Sequence, residues 1–287
     1  MYQVIAATNR LLSLFLIAIA FWVGAQTAQA GGVIEFPNQE QSQPAQLLGY
    51  LARPDLGLPA YLGGDATGAG PYPAVVVLHG CSGFSSHDAV IADQIASWGY
   101  VVLAVDSLTP RSIDSRCGGR NLADQALDAY AALHYLSRLA FVDPKRVAVL
   151  GGSMGGSSVL QVVDHDFAAQ HSDRGFRAAI AYYPLCGAPS VMAAPTLILI
   201  GELDDTTRAA LCQAMVENLP NGGAPVSLTV YPGAYHAFNV ARLDPGIRTL
   251  GHRYEYNRSA AKDSETKVRA FLARYLAMPT SGKSGAH

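Results

Sequence analysis

Positive charge is nowhere concentrated in this chain. Its 20 Lys and Arg stand against 22 Asp and Glu, a formal net charge of −2. No basic stripe emerges along the sequence, which argues against nucleic acid or an anionic membrane surface as partner. Cysteine is scarce as well: only Cys81, Cys117, Cys186 and Cys212. None of their spacings is the C-x-x-C of a zinc site, so neither a metal nor an organic cofactor is expected. Internal repeats and low-complexity tracts are missing, which sets aside solenoids and unstructured arrays. The apolar run Leu11–Val23 falls short of the roughly 20 residues that a membrane-spanning helix needs.

That run is informative for another reason. It follows Arg10, is broken only by Ser13, and leads to Ala28-Gln29-Ala30, a small-x-small cleavage pattern. The layout is that of a secretory signal peptide over residues 1–30, the competing reading being a membrane anchor. Cleavage would leave Gly31–His287 as one α/β domain, exported to a periplasmic or secreted location without a stable membrane anchor. In that setting an even cysteine count suggests two disulfides, with three possible connectivities.

Beyond a Gly/Pro-rich stretch from Pro54 to Pro73, apolar runs alternate with helical patterns. Strands are predicted at Leu47–Ala52, Ala74–Leu78, Tyr100–Val105, Val147–Leu150, Ala178–Tyr182, Thr196–Ile200 and Val226–Tyr231. Helices are predicted at Asp88–Trp98, Leu122–Leu139, Ser153–Ala169, Arg208–Leu219 and Ala260–Leu276, with a frayed tail at Thr280–His287. Strands that are apolar throughout and separated by helices imply a mainly parallel sheet covered on both faces. Only Pro184–Pro195 separates two of those strands, too little chain for a helical cap domain. The active face should be open.

The segment Val147–Ser158, VAVLGGSMGGSS, carries the chemistry. A β-branched run ends in Gly151-Gly152-Ser153-Met154-Gly155, and a helix-compatible segment follows. This is the nucleophile elbow G-x-S-x-G, in which Gly151 and Gly155 relieve crowding around a strained serine. A glycine-rich turn with an incidental serine is the bland alternative, and context weighs against it. A serine hydroxyl needs a base oriented by a carboxylate, in the chain order Ser, acid, His. Thr196–Ile200 runs into Gly201-Glu202-Leu203-Asp204-Asp205, and Val226–Tyr231 runs into a loop ending at His236. Asp204 and Asp205 compete for the acid role, with Glu202 a distant third; either aspartate could instead be a loop or helix-cap carboxylate. His87, His134, His165, His171 and His252 lack strand-end placement and read as surface or structural residues.

The tetrahedral intermediate needs amide donors. One is the N–H after the nucleophile, Met154. The other is assigned to Cys81, because Gly80 lets the loop after Ala74–Leu78 turn inward. His79 reads as a support for that loop. Cys81 and Cys117 follow adjacent strands on the active face, as do Cys186 and Cys212, which favours the pairing Cys81–Cys117 and Cys186–Cys212, the first pinning the oxyanion loop. Tyr183, Arg111 and Arg116 fall at strand ends and are candidate pocket residues; an arginine there could hold a substrate carboxylate.

Five motifs now combine: VVVLHGCSG at Val75–Gly83, GYVVLAVDS at Gly99–Ser107, VDPKRVAVLGGSMGG at Val142–Gly156, LILIGELDD at Leu197–Asp205 and YPGAYHAFN at Tyr231–Asn239. Together they resemble the dienelactone hydrolase family of α/β-hydrolases, in its exported, serine-bearing branch. The resemblance implies an α/β-hydrolase fold and a triad of Ser153, Asp204 and His236, the family's G-x-x-D spacing landing on Asp204. Asp205 would then point away and could cap the following helix. Members with dienelactone activity carry cysteine at the elbow, so Ser153 points toward carboxylic-ester hydrolysis through an acyl-enzyme. The elbow is also similar to that of secreted cutinase-like and polyester hydrolases, so the substrate is a small-molecule or polymeric ester. One rival reading, a peptidase of the prolyl-oligopeptidase type, usually carries a large N-terminal domain. The other, a noncatalytic binding protein on this scaffold, would be expected to lose a triad member.

Overall fold

In the computed structural model the described residues are 31–38, 46–54, 71–117 and 123–277. The expected signal peptide, most of the Pro54–Pro73 stretch and the tail after residue 277 lie outside them. The apolar runs become β3 (Tyr72–Leu78), β4 (Val101–Asp106), β5 (Val142–Gly152), β6 (Ala178–Tyr182), β7 (Thr196–Gly201) and β8 (Val226–Tyr231). These run parallel, and antiparallel β1 (Gly31–Pro37) and β2 (Gln46–Ala52) extend them into an eight-stranded sheet in the order β1-β2-β4-β3-β5-β6-β7-β8. Every residue of β4, β6 and β7 is buried, as required of strands covered on both faces.

The strand order dictates where the helices go. From β3 the chain steps to β4 on one side, then returns past β3 to β5, so right-handed crossovers put the intervening helices on opposite faces. Accordingly α1 (Ser86–Ser97) packs on β4 and β2, whereas α2 (Ala123–Leu136) packs on α3 (Met154–Val162) and on β3. The later helices are α4 (His165–His171), α5 (Ala209–Glu217) against β8 and β7, and α6 (Arg258–Leu276) against β5, β6 and β7. Arg269 of α6 lies over the ring of Trp98, which ends α1. The order reverses between β3 and β5, and in open α/β sheets ligands bind at the carboxyl ends of strands flanking such a switch.

Three elements differ from expectation. β1 was not predicted, and its burial shows why: Gly31 and Phe36 are its only buried residues, so it has little apolar periodicity. The predicted helix Ser153–Ala169 is broken. Asp164 has extended backbone and its Oδ1 accepts the Asp166 and Phe167 N–H groups, capping α4 and ending α3. A short hairpin of β9 (Ile247–Thr249) and β10 (His252–Tyr254) has no buried face to leave a periodic signal.

Between β5 and α3, Ser153 takes φ 56° and ψ −117°, a strained conformation for a residue with a Cβ. The turn closes because two neighbours lack one. A Cβ at Gly151 would lie 2.4 Å from the Gly155 carbonyl, and one at Gly155 would lie 2.2 Å from the Leu78 oxygen. Both obstacles are backbone and cannot rotate aside. Gly155→Ala should therefore destabilise the fold by at least about 3 kcal/mol in urea unfolding, as severe overpacking does. Gly187→Ala, whose Cβ meets nothing within 4 Å, should change stability by less than about 0.5 kcal/mol.

Candidate active site

The elbow projects Ser153 over the sheet edge, where its Oγ–H donates to His236 Nε2 at 2.9 Å. His236 Nδ1–H donates to Asp204 Oδ2 at 2.7 Å. Because a carboxylate can only accept, this bond fixes the proton on Nδ1 and leaves Nε2 free to take one. The loops carrying the two partners are joined to each other. Glu202 N–H donates to the Tyr231 carbonyl and Leu203 N–H to the Ala234 carbonyl, each at 2.9 Å. Glu202 Oε2 accepts the Gly233 N–H at 2.9 Å, which occupies it away from His236. The imidazole is 2 % exposed and is gripped by rings: Tyr183 at 4.7 Å and Tyr254 edge-on at 5.4 Å between centroids.

Asp204 is buried, yet well supplied with donors. Its Oδ1 accepts the Thr206 and Thr207 N–H groups at 2.9 and 2.8 Å, and its Oδ2 also faces the Thr207 hydroxyl at 2.9 Å. Burial alone would raise its pKa, but the hydrogen bond and charge of His236 and the Thr207 donors outweigh that and hold the carboxyl below its usual range. With the folded value depressed, this carboxylate stabilises the fold above the ordinary carboxyl pKa. That contribution is lost as pH falls through the lowered folded value. Asp205 does not cap the following helix. It faces β10 instead, with Oδ1 3.4 Å from the Arg253 N–H and 3.4 Å from His252 Nδ1.

On the other flank of Ser153, residues 80–83 form a turn closed by Gly83 N–H donating to the Gly80 carbonyl at 3.2 Å. Gly80 lies against Ser153: a Cβ built on it would be 3.8 Å from the serine Cβ. His79 is 1 % exposed, with Nδ1–H donating to the Gly80 carbonyl at 2.7 Å and Nε2 accepting the Ser107 N–H at 3.1 Å. Gln125 on α2 donates to the His79 carbonyl at 3.0 Å and accepts the Ser158 hydroxyl from α3 at 2.8 Å. This buried relay ties the turn to the elbow helix. Among the described residues, no group accepts from the N–H of Cys81 or of Met154.

Cys81 is bonded to Cys117 and Cys186 to Cys212, with Cα separations of 4.8 and 4.9 Å. Two of the three candidate pocket residues have other employment. Tyr183 is 5 % exposed, sits behind the His236 ring, and donates its hydroxyl to Asn239 Oδ1 at 2.8 Å; burial pushes its pKa up. Arg111 forms a fork-to-fork pair with Asp128, both bonds at 2.8 Å, and also donates to the Ser107 carbonyl at 2.7 Å. It is not placed to hold a substrate carboxylate. Arg116 contributes its backbone, donating its N–H to the Cys81 carbonyl at 2.8 Å. Gln125, Ser158, Thr207 and Asn239 were not singled out from the sequence. Thr207 alone had a signal, a hydroxyl residue just after an aspartate at a strand end. Among the described residues, no three His, Cys, Asp or Glu side chains converge in a way that could hold a metal ion.

Because the Asp128 side chain is fully buried, Arg111→Ala should cost about 3 kcal/mol in denaturant unfolding by leaving a buried charge underpaired. Folded variant protein should keep its KM for neutral esters within about threefold. A stable variant with a large KM increase would return Arg111 to substrate binding.

Comparison with known proteins agrees with this architecture. Cutinase 1 of Thermobifida cellulosilytica is 31% identical over 173 residues, covering 59% of this chain and 62% of that protein, so the chain spans less than two thirds of that relative. Cutinase est1 of Thermobifida alba is 33% identical over 224 residues, 74% of this chain and 71% of that one. A thermophilic esterase from the Planctomycetes species Thermogutta terrifontis shares the fold at a TM-score of 0.63, with 20% identity over 89% of this chain and 96% of its own. The family model described as the dienelactone hydrolase family matches residues 58–276. With a largely parallel sheet, helices on both faces and a serine elbow at its switch point, the chain belongs to the dienelactone hydrolase family, on the α/β-hydrolase fold.

Proposed function

We propose that this protein hydrolyses carboxylic esters through an acyl-enzyme on Ser153. The observation that carries the reading is the continuous pair of short contacts from Ser153 Oγ through His236 to Asp204, 2.9 and 2.7 Å long. As Ser153 Oγ attacks the ester carbonyl carbon, His236 Nε2 takes the hydroxyl proton, and Asp204 balances the imidazolium. The carbonyl oxygen, now carrying the charge, accepts from the Met154 and Cys81 N–H groups, the former at the N-terminus of α3. The imidazolium returns its proton to the departing alcohol. Water then repeats the sequence on the acyl-serine, releasing acid and free enzyme.

An apolar, extended ester is the substrate class best supported. Leu185, Leu203, Ile247 and Leu250 are exposed, and all four belong to segments at the carboxyl edge of the sheet or on the hairpin that bridges His236 through Tyr254. Relatives named cutinases favour the same choice. The disulfides and the leader-like residues 1–30 support export.

Incubation with a fluorophosphonate should add mass to the peptide holding Ser153, and Ser153→Ala should abolish both labelling and turnover of nitrophenyl esters. Asp204→Asn should lower kcat by about 10⁴, the cost of losing the orienting carboxylate in a Ser-His-Asp triad. Asp205→Asn should stay within roughly tenfold of wild type; the reverse ranking would reassign the acid. For export, protein recovered from the producing cell should begin at or near Gly31, and an intact N-terminus would instead indicate an anchor.

A further inference from the structure

Residue 81 is held on every side except the one that matters. Its sulfur is bonded to Cys117. Its carbonyl accepts the Arg116 N–H at 2.8 Å and the Ser115 hydroxyl at 3.3 Å, and the Ser115 Oγ itself accepts the Cys117 N–H at 3.2 Å. The peptide before it is fixed as well, because the Gly80 carbonyl accepts from Gly83 N–H and His79 Nδ1. In a planar trans peptide the N–H points opposite to the carbonyl, so anchoring the Gly80 oxygen sets the direction of the Cys81 N–H. That N–H is left without an acceptor among the described residues, on a turn packed against Ser153.

We propose that Ser115–Cys117 is the positioning segment of the oxyanion hole, and that the Cys81–Cys117 bond makes turnover conditional on oxidation. The inference rests on the acyl-enzyme reading above. A donor stabilises a transition state to the extent that its direction is set beforehand. The Gly80–Gly83 turn has glycine at both ends and would be loose alone, since glycine restricts its own backbone least. Ser115 and Cys117 touch neither the triad nor a substrate in that chemistry, so they act through residue 81.

The two disulfides differ in access. Cys117 is exposed and Cys81 half-buried, whereas Cys186 is 5 % and Cys212 0 % exposed. An external dithiol should therefore reach only the first. Its thiolate attacks one sulfur of the pair and its second thiol closes the ring. The dithiol is oxidised to its cyclic disulfide, and Cys81 and Cys117 gain two electrons and two protons as thiols.

The test is dithiothreitol titration of the whole exported protein. It would be read by alkylation mapping of the four cysteines and by kcat and KM for a nitrophenyl ester, each normalised to sites titrated with fluorophosphonate. When Cys81 and Cys117 are alkylated and Cys186 and Cys212 are not, kcat should have fallen about ten- to hundredfold, with KM within about threefold. Loss of an entire donor costs about 10² to 10³. Cys117→Ser should reproduce the fall. Ser115→Ala, which keeps the disulfide, should lower kcat about threefold, and the pH profile of kcat/KM should not move in either variant. The inference is overturned if kcat per titrated site is unchanged once Cys81 and Cys117 are open, or if activity falls only in step with titratable sites. Ser153→Ala in the same assay separates the two failures: turnover within about tenfold of wild type there would sink the acyl-enzyme reading itself, and this inference with it, whereas loss of the triad serine otherwise leaves only a small residual rate.

Discussion

The constraint on which the arrangement around Ser153 depends is the approach of the α3 backbone to the end of β3. At Gly155 a single added carbon would sit 2.2 Å from the Leu78 oxygen. That contact brings together β5, α3 and β3, the elements that carry Ser153 and the Gly80–Gly83 turn. Because α3 comes in so close, Ser153 at its start lies against Gly80. Because β3 and β5 are neighbours at the switch in strand order, the loops leaving them face the same point. Sheet topology supplies the meeting place, and the missing side chains at Gly151 and Gly155 make it reachable.

The electrostatics follow from the same geometry. A carboxylate as buried as Asp204 would ordinarily be costly. Four donors remove that cost: two backbone N–H groups, the Thr207 hydroxyl and the His236 ring. The result is a carboxylate that stays ionised 2.7 Å from the His236 ring. Arg111 and Asp128 solve the same problem differently, as a forked pair. Asp204 and Asp128 are both buried carboxylates, and what distinguishes them is their partners, a histidine ring in one case and a guanidinium in the other.

That distinction marks what could be read in the sequence. The parallel strands were legible because burial on both faces leaves unbroken apolar runs; the candidates Ser153 and His236 stood out because each follows such a run, whereas Asp204 and Asp205 follow the same run and only the family's G-x-x-D spacing favoured Asp204. Tyr183 and Arg111 also follow strands, so position alone could not separate them from pocket residues; their hydrogen bonds to Asn239 and Asp128 join parts of the chain far apart in sequence. Gln125 was invisible for a related reason. It occupies an ordinary helical position, and its role depends on reaching the His79 carbonyl and Ser158, 46 and 33 residues away. β1 and the β9–β10 hairpin left no signal because they bury too little to need a periodic pattern.

The loops around the site share one principle of construction. Loops at strand ends are free to vary, but chemistry needs them held within fractions of an ångström. The acid and histidine loops brace each other through paired backbone bonds and the Glu202 carboxylate. The Gly80–Gly83 turn has no such neighbour, since it lies on the other flank of Ser153. It is braced by the Gln125 relay at its start and by Ser115–Cys117 at residue 81. The first brace is buried and permanent. The second is covalent and ends at the exposed Cys117, so among the described residues the turn beside Ser153 is held by two braces of opposite accessibility.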